Sequence, residues 1–125
     1  MIERINVANL PTPKGHYVHA VRHNQTLYIS GQLPVADDGS HETGASFEDQ
    51  SRQVLRNMLA VLEGAGSGPE MLLKVTVYLV NVDHWPTFDA IFAEMLGEVR
   101  PARAVVPVPA LHYGYLLEVE AIAAG

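Results

Sequence analysis

The segment RPARAVVPVPALHYGYLLEVEAIAAG (residues 100–125) contains two predicted strands, and they constrain the rest of the fold. The first apolar run, 103–109, follows a Pro-Ala-Arg step, and the second, 115–123, follows a Tyr-Gly turn. Side chains alternate sides along a strand, so Glu118 and Glu120 share one face of the second strand. Apolar residues occupy the other face. We therefore expect this strand to bury one face and to present two carboxylates on the other.

Three more strands are predicted earlier in the chain. Residues 17–22 and 26–31 alternate in hydrophobicity and flank His-Asn-Gln, which is typical of a short hairpin connection. Residues 73–80 alternate more clearly. Their predicted inward side chains are Leu73, Val75, Val77 and Leu79. Residues 1–15 end in LPTPKG and are predicted to form an extended lead-in followed by a turn.

Two amphipathic helices are predicted between these strands. Ser46 and Asp49 form a capping-box pattern ahead of an apolar stripe that ends near Gly64. Pro86 suits the first turn of the second helix, whose apolar residues recur at helical spacing until Gly97. The predicted order is β-β-α-β-α-β-β.

This order indicates one α+β domain over residues 1–125, with both helices packed on one face of a mixed sheet. The opposite sheet face carries Thr76, Tyr78 and Val80 and is too apolar to be fully exposed to water. We therefore expect another copy of the chain to cover it.

Composition excludes several functional classes. The net charge is −6 and the eight Lys and Arg residues are scattered, so a nucleic-acid surface is not expected. Zero cysteines exclude disulfides, thiolate catalysis and zinc–thiolate sites. The N-terminal residues are too polar for a signal peptide, and no apolar run approaches the ~18 residues of a membrane span. These features favour a cytoplasmic protein without membrane association.

The candidate functional residues each have a structural alternative. Arg103 suits a surface salt bridge, or its planar guanidinium binds a substrate carboxylate through two hydrogen bonds. Glu118 and Glu120 suit the polar face of a strand, or one of them is partly desolvated and activates a water. His16 and His19 lie on opposite sides of the predicted strand, so a metal site is not favoured. Ser30 lacks the glycine pattern of a nucleophile elbow.

Six motifs occur in one order along the chain and resemble those of the RidA/YjgF family. They are GHYV at 15–18, LYISGQ at 27–32, QVL at 53–55 with Asn57, KVTVYL at 74–79, PAR at 101–103 and EVEAIA at 118–123. The resemblance implies a chorismate-mutase-like fold and a homotrimer with ligand clefts between subunits. It also implies cofactor-independent hydrolysis of enamine and imine intermediates (2-imino acids) to 2-keto acids and ammonia.

The resemblance further assigns roles to individual residues. Arg103 is expected to bind the substrate carboxylate, and Glu120, rather than Glu118, to activate the attacking water. The implied substrate-binding wall consists of Tyr17, Ser30, Gly31, Ala104 and Val105.

The chain also departs from the family pattern. The family commonly has serine and cysteine at the positions of Ala104 and Val105, and glutamine, proline and asparagine at those of His19, His112 and Asp89. An imine larger than 2-iminobutanoate, or one derived from an amino-aromatic compound, therefore suits the pocket as well. Two other functions fit the same motifs: binding of a small carboxylate without turnover, and the endoribonuclease or translation-inhibitor role of some relatives.

Overall fold

The computed structural model describes all 125 residues, Met1–Gly125, and contains six strands and two α-helices. The strands are β1 (Ile2–Ile5), β2 (Ala20–His23), β3 (Thr26–Gln32), β4 (Leu72–Leu79), β5 (Ala102–Pro107) and β6 (Leu117–Ala124). The helices are α1 (Phe47–Gly64) and α2 (Trp85–Leu96). The predicted α+β class and the order of the seven predicted elements are confirmed, and β1 is an additional strand.

The strands form one mixed sheet in the order β1-β2-β3-β6-β4-β5. β6 lies between β3 and β4 and is antiparallel to both, whereas β5 runs parallel to β4 at the edge of the sheet. The segment 100–125 therefore supplies both an interior strand and an edge strand. β6 begins at Leu117 rather than at residue 115 because His112–Gly114 form a 3₁₀ turn immediately before it.

β1 was not predicted from the sequence. Its residues pair with β2, with Ile2 opposite His23 and Ile5 opposite Ala20. The side chains of its first three residues are exposed, so the segment lacks the alternation that indicates a half-buried strand. The lead-in is extended as predicted, but pairing with the neighbouring strand converts four of its residues into an edge strand.

The predicted hairpin between β2 and β3 is confirmed. Asn24 and Gln25 have φ angles of 51° and 64°, the positive values that two-residue hairpin turns of the mirror-image type require. β2 begins at Ala20 rather than at residue 17. Tyr17 instead lies in the loop that precedes the strand, and this displacement matters for the site described below.

Both helices begin as their capping signals predict. The backbone N–H of Asp49 donates to Ser46 Oγ at 3.1 Å, and Pro86 occupies the first turn of α2. α1 packs against β3, β6 and α2, and its stripe of Val54, Met58 and Val61 is fully buried. α2 buries an aromatic and aliphatic stripe in the same core.

One inward residue of β4 was predicted incorrectly. Val75, Val77 and Leu79 are buried, but Leu73 is half exposed and its neighbour Leu72 is buried instead. The register with β6 is irregular between Leu72 and Lys74. A bulge of this kind inserts one residue into the alternation and reverses the direction of the side chains that precede it.

The two faces of the sheet therefore differ. The helix side contains the apolar core, to which Val75, Val119 and Ala121 belong. The other side, which we call the open face, carries Thr76, Tyr78, Glu118, Glu120 and Ile122 at the alternate positions of β4 and β6. Within a single chain no helix covers this face.

The bulge gives a direct test of the strand register. We expect Leu72→Ala to lower the free energy of unfolding by about 2–4 kcal/mol, because it leaves a cavity in the core. The matched variant Leu73→Ala should lower that free energy by less than half as much, because about half of the side chain is already in water. Urea unfolding of both variants measures the difference. The opposite ranking would support the uninterrupted alternation that the sequence suggests.

Candidate functional site

A cavity of about 640 Å³ lies between the loop that precedes β2, the end of β3 and the open face of β6. One wall is the segment 10–15 together with Tyr17, and another is the segment 30–33. Glu118 reaches it from β6, and His112 and Tyr113 reach it from the turn before β6. Its volume lies within the ~300–1,000 Å³ range of small-molecule sites in proteins.

Three of the predicted substrate-binding residues line this cavity: Tyr17, Ser30 and Gly31. Ser30 Oγ donates a hydrogen bond to the carbonyl of Val18 at 2.7 Å, and this bond joins β3 to the loop before β2. The other predicted residues, Arg103, Ala104, Val105 and Glu120, are not among the residues that line it.

Glu118 is the carboxylate in the cavity. It packs against Gly31 so closely that a Cβ atom added to this glycine would lie 2.6 Å from Glu118 Oε2. Burial raises the pKa of Glu118; the nearby His112 opposes this effect, and Glu120 adds to it. A carboxyl group whose pKa is raised toward neutral pH is better suited to accept and then donate a proton.

Glu120 has a different environment two residues along the strand. Its Oε1 atom accepts a hydrogen bond from the hydroxyl of Tyr78 at 2.7 Å. That hydrogen bond, together with burial and the charges of Glu120 and Glu118, raises the pKa of Tyr78. The resemblance to the RidA/YjgF proteins favours Glu120 over Glu118 as the base. The structure instead places Glu118 in the cavity and Glu120 in a pair with a tyrosine.

Arg103 lies on the helix side of the sheet. Its Nη2 atom is 2.8 Å from Asp89 Oδ1 of α2, and its guanidinium carbon is 5.0 Å from the centre of the Phe92 ring. It stands opposite Val75, whose side chain is in the core, whereas Glu118 projects from the open face. Arg103 and Glu118 of one chain therefore do not share the cavity.

The two residues after Arg103 also separate. Val105 lies on the helix side, partly buried against the core. Ala104 pairs with Thr76, which also pairs with Glu120, so all three are on the open face. The predicted wall of five residues is thus split between the cavity and the edge strand β5.

Two buried polar side chains, Asn57 and His19, form hydrogen bonds to the segments that line the cavity. The sequence analysis did not predict this role for either residue. Asn57 donates from Nδ2 to the carbonyls of Leu33 and Val35 at 3.0 and 2.9 Å. His19 accepts from the backbone N–H of Val7 at Nδ1, so its Nε2 carries the proton that Pro11 O accepts at 3.0 Å. Both contacts join distant segments and leave no sequence pattern of their own.

An aromatic cluster supplies His41 and Tyr113 to the lining of the cavity. The ring of Tyr113 stacks on His41, with centroids 3.9 Å apart and planes inclined by 21°. His41 Nδ1 is hydrogen-bonded to the hydroxyl of Tyr115 at 2.9 Å, and Tyr115 is buried, which raises its pKa. The sequence offered no signal for this cluster, because His41 lies in a polar loop far from residue 113.

No group of three or more His, Cys, Asp or Glu side chains is arranged to hold a metal ion. Neither helix has the length and apolar character that crossing a bilayer requires.

The chain matches known proteins over nearly its whole length. The family model named Endoribonuclease L-PSP matches residues 7–125. The chain belongs to this family. The resemblance to the RidA/YjgF proteins is thereby confirmed, and a solved structure of YyfA, a Rid family protein from Yersinia pestis, is 37% identical with a TM-score of 0.92. That alignment covers all of both chains.

Two further relatives carry more specific descriptions. The human protein named 2-iminobutanoate/2-iminopropanoate deaminase is 32% identical over 119 residues, which cover 95% of this chain and 87% of the human one. The structure of Escherichia coli TdcF with bound serine has a TM-score of 0.91 at 29% identity and covers 98% of each chain.

The raised pKa of Glu118 predicts a pH-dependent contribution to stability. Because the folded chain binds this proton more tightly than the unfolded chain, the group stabilises the fold below the ordinary carboxyl pKa, and this contribution is lost as the pH rises through the raised pKa. We therefore expect Glu118→Gln to gain stability relative to wild type between about pH 4 and pH 7. Urea unfolding at both pH values measures this gain.

The exposed glutamate Glu63, replaced in the same way, reports the effect of removing one negative charge. A stability difference between Glu118→Gln and wild type that does not change with pH would contradict the assigned environment of Glu118.

Proposed function

We propose that this protein hydrolyses 2-imino acids and their enamine tautomers to 2-keto acids and ammonia. The observation that carries the proposal is a half-buried carboxylate with a raised pKa, Glu118, in a cavity lined by Tyr17, Ser30 and Gly31. Membership of a family with a human imine deaminase supports the reaction class. The serine bound to TdcF supports a ligand of amino-acid type.

The proposed reaction needs only one proton-transfer group. An imine carbon is already electrophilic, so water attacks it directly once Glu118 removes a proton from that water. In the protonated imine, the C–O bond forms as the π electrons of the C=N bond become the nitrogen lone pair, and Glu118 holds the proton taken from water. Glu118 then gives this proton to the carbinolamine nitrogen, the C–N bond breaks, and ammonia leaves as the hydroxyl proton passes to the Glu118 carboxylate and the carbonyl forms. Release of that proton to ammonia or solvent restores Glu118. Fixing the carboxylate of the substrate supplies the orientation that this sequence requires.

Arg103 is the proposed anchor for that carboxylate, and the proposal requires it to come from a second copy of the chain. Three observations support this arrangement. Arg103 and Glu118 project from opposite sides of one sheet, β5 is an edge strand, and the open face is uncovered in one chain. Together with the trimer that the family resemblance implies, these observations lead us to propose a homotrimer in which each cleft combines the cavity of one copy with Arg103 of its neighbour.

Binding of a small carboxylate without turnover is the second candidate. The separation of Arg103 from Glu118 within one chain favours it. If no Arg103 of a neighbouring copy reaches the cavity, a ligand bound there would lack the orientation that turnover requires. The family name also raises RNA cleavage, but the net charge of −6 opposes binding to a phosphate backbone.

The two glutamates of β6 provide a matched test of the catalytic assignment. In an assay in which a pyridoxal-phosphate dehydratase generates 2-iminobutanoate, we expect Glu118→Gln to lower the rate of keto-acid release by about 10²–10⁴-fold. Glu120→Gln should retain most of the activity, because its partner Tyr78 lies outside the cavity. Loss in Glu120→Gln alone would restore the assignment that the sequence favoured. Full activity in both variants would exclude a glutamate base on β6.

The shared cleft can be tested by mixing two inactive variants. Arg103→Ala and Glu118→Gln should each be inactive when assembled alone, since every cleft then lacks one group. If they are unfolded and refolded together in equal amounts, about a quarter of the clefts would combine an intact arginine with an intact glutamate. We expect the mixture to recover activity in that proportion. No recovery, with assembly confirmed by light scattering, would show that the two residues do not act in one cleft between copies.

A further inference from the structure

Two exposed tyrosine rings line the cavity, although the proposed proton transfers at Glu118 use neither of them. Tyr113 is 58% exposed and Tyr17 is 54% exposed, and both line the cavity that Glu118 reaches. One edge of the Tyr17 ring packs against Gly15, since a Cβ atom on this glycine would be 2.8 Å from Tyr17 Cε1. Two tyrosine rings are thus held at the cavity with much of their surface in water.

The backbone of Tyr113 is held in an unfavourable conformation. Its φ and ψ angles are 61° and 7°, in the left-handed region that a bulky residue rarely adopts. Strain of this kind persists only where the surrounding structure enforces it, and it concentrates at functional sites. Here the conformation directs the ring onto His41, so the turn before β6 presents an aromatic ring at the cavity rather than in open solvent.

The buried residue Tyr115 fixes the position of His41 and so the stacking of Tyr113 on it. The hydroxyl of Tyr115 is hydrogen-bonded to His41 Nδ1, and Tyr115 is only 1% exposed. Tyr115 also contacts Tyr113 edge-on, with ring centroids 6.2 Å apart. Tyr113 is therefore preorganised, and a ligand that stacks on it would lose little free energy in ordering the protein.

We infer that the cavity selects 2-imino acids with a flat, aromatic side chain, and that the Tyr113 ring is the residue that determines this preference. The inference rests on the proposed function, since it concerns the same reaction at Glu118. The enamine tautomer of an aromatic 2-imino acid is conjugated with its ring and is planar over most of its length. A planar ligand suits a stacking surface, and the cavity of about 640 Å³ has room for a ring beside the reacting carbon.

The chemistry also indicates the class of reaction that supplies such a substrate. Two-electron oxidation of the α-amine of an aromatic amino acid yields the imino acid, and it requires an acceptor such as a flavin. This protein would act on the imine after that enzyme releases it, and would catalyse only the hydrolysis.

Substrate preference is the test. A flavin-dependent amino acid oxidase, with catalase present, converts phenylalanine or 2-aminobutyrate to the corresponding imino acid, and semicarbazide traps whatever imine is left. We expect wild type to show a higher kcat/KM for the phenylalanine-derived imine. Tyr113→Asn should lower that value by about 3–10-fold and lower the value for the aliphatic imine by a smaller factor, so that the ratio of the two values falls. Asparagine tolerates the left-handed backbone, so the turn is kept.

Tyr113→Phe is the matched control, because it keeps the ring and should keep the preference. An equal loss for both substrates in Tyr113→Asn would show that the residue only supports the site, and would overturn the inference. An unchanged preference in Tyr113→Asn would do the same while leaving the proposed hydrolysis intact.

A separate measurement distinguishes failure of the proposed function. If wild type hydrolyses neither imine, calorimetry with phenylpyruvate and 2-oxobutanoate measures binding of the two keto acids directly. Tighter binding of phenylpyruvate that is lost in Tyr113→Asn would support the aromatic preference in a protein that only binds. Equal affinities would overturn it.

Discussion

The structure depends on the hydrogen bonding of β6 to β3 on one side and to β4 on the other. This register sends Leu117, Val119 and Ala121 into the core and leaves Glu118 and Glu120 on the open face. A shift of one residue would exchange the two sets and bury both carboxylates. The core and the candidate site are therefore specified by one pairing, and the site cannot move without loss of the core.

The neighbours of each carboxylate then decide its chemistry. Glu118 meets a glycine that has no side chain to exclude it from the cavity, and burial there raises its pKa. Glu120 meets the hydroxyl of Tyr78 and is held by it. Any side chain at position 31 would displace the Glu118 carboxylate, so the observed position of Glu118 requires the glycine of the LYISGQ motif.

Sequence patterns predicted this fold well wherever local signals were strong. The caps of both helices, the two-residue hairpin and the alternation of β4 are short-range features, and each has a direct physical basis. The errors concern long-range effects. β1 exists because β2 offers an unpaired edge, and Leu73 turns outward because of a bulge against β6. Neither the partner strand nor its register is encoded within the segment concerned.

For the site, the motifs were enough to indicate the family and the fold class, and the family resemblance gave a short set of candidates that included Tyr17, Ser30, Gly31 and the two glutamates. Which glutamate enters the cavity, which side of the sheet Arg103 faces and the stacking of Tyr113 on His41 became visible only in the folded chain. One cause explains all three. Alternation along a strand assigns a side chain to a face, but its environment is set by residues that are distant in the chain.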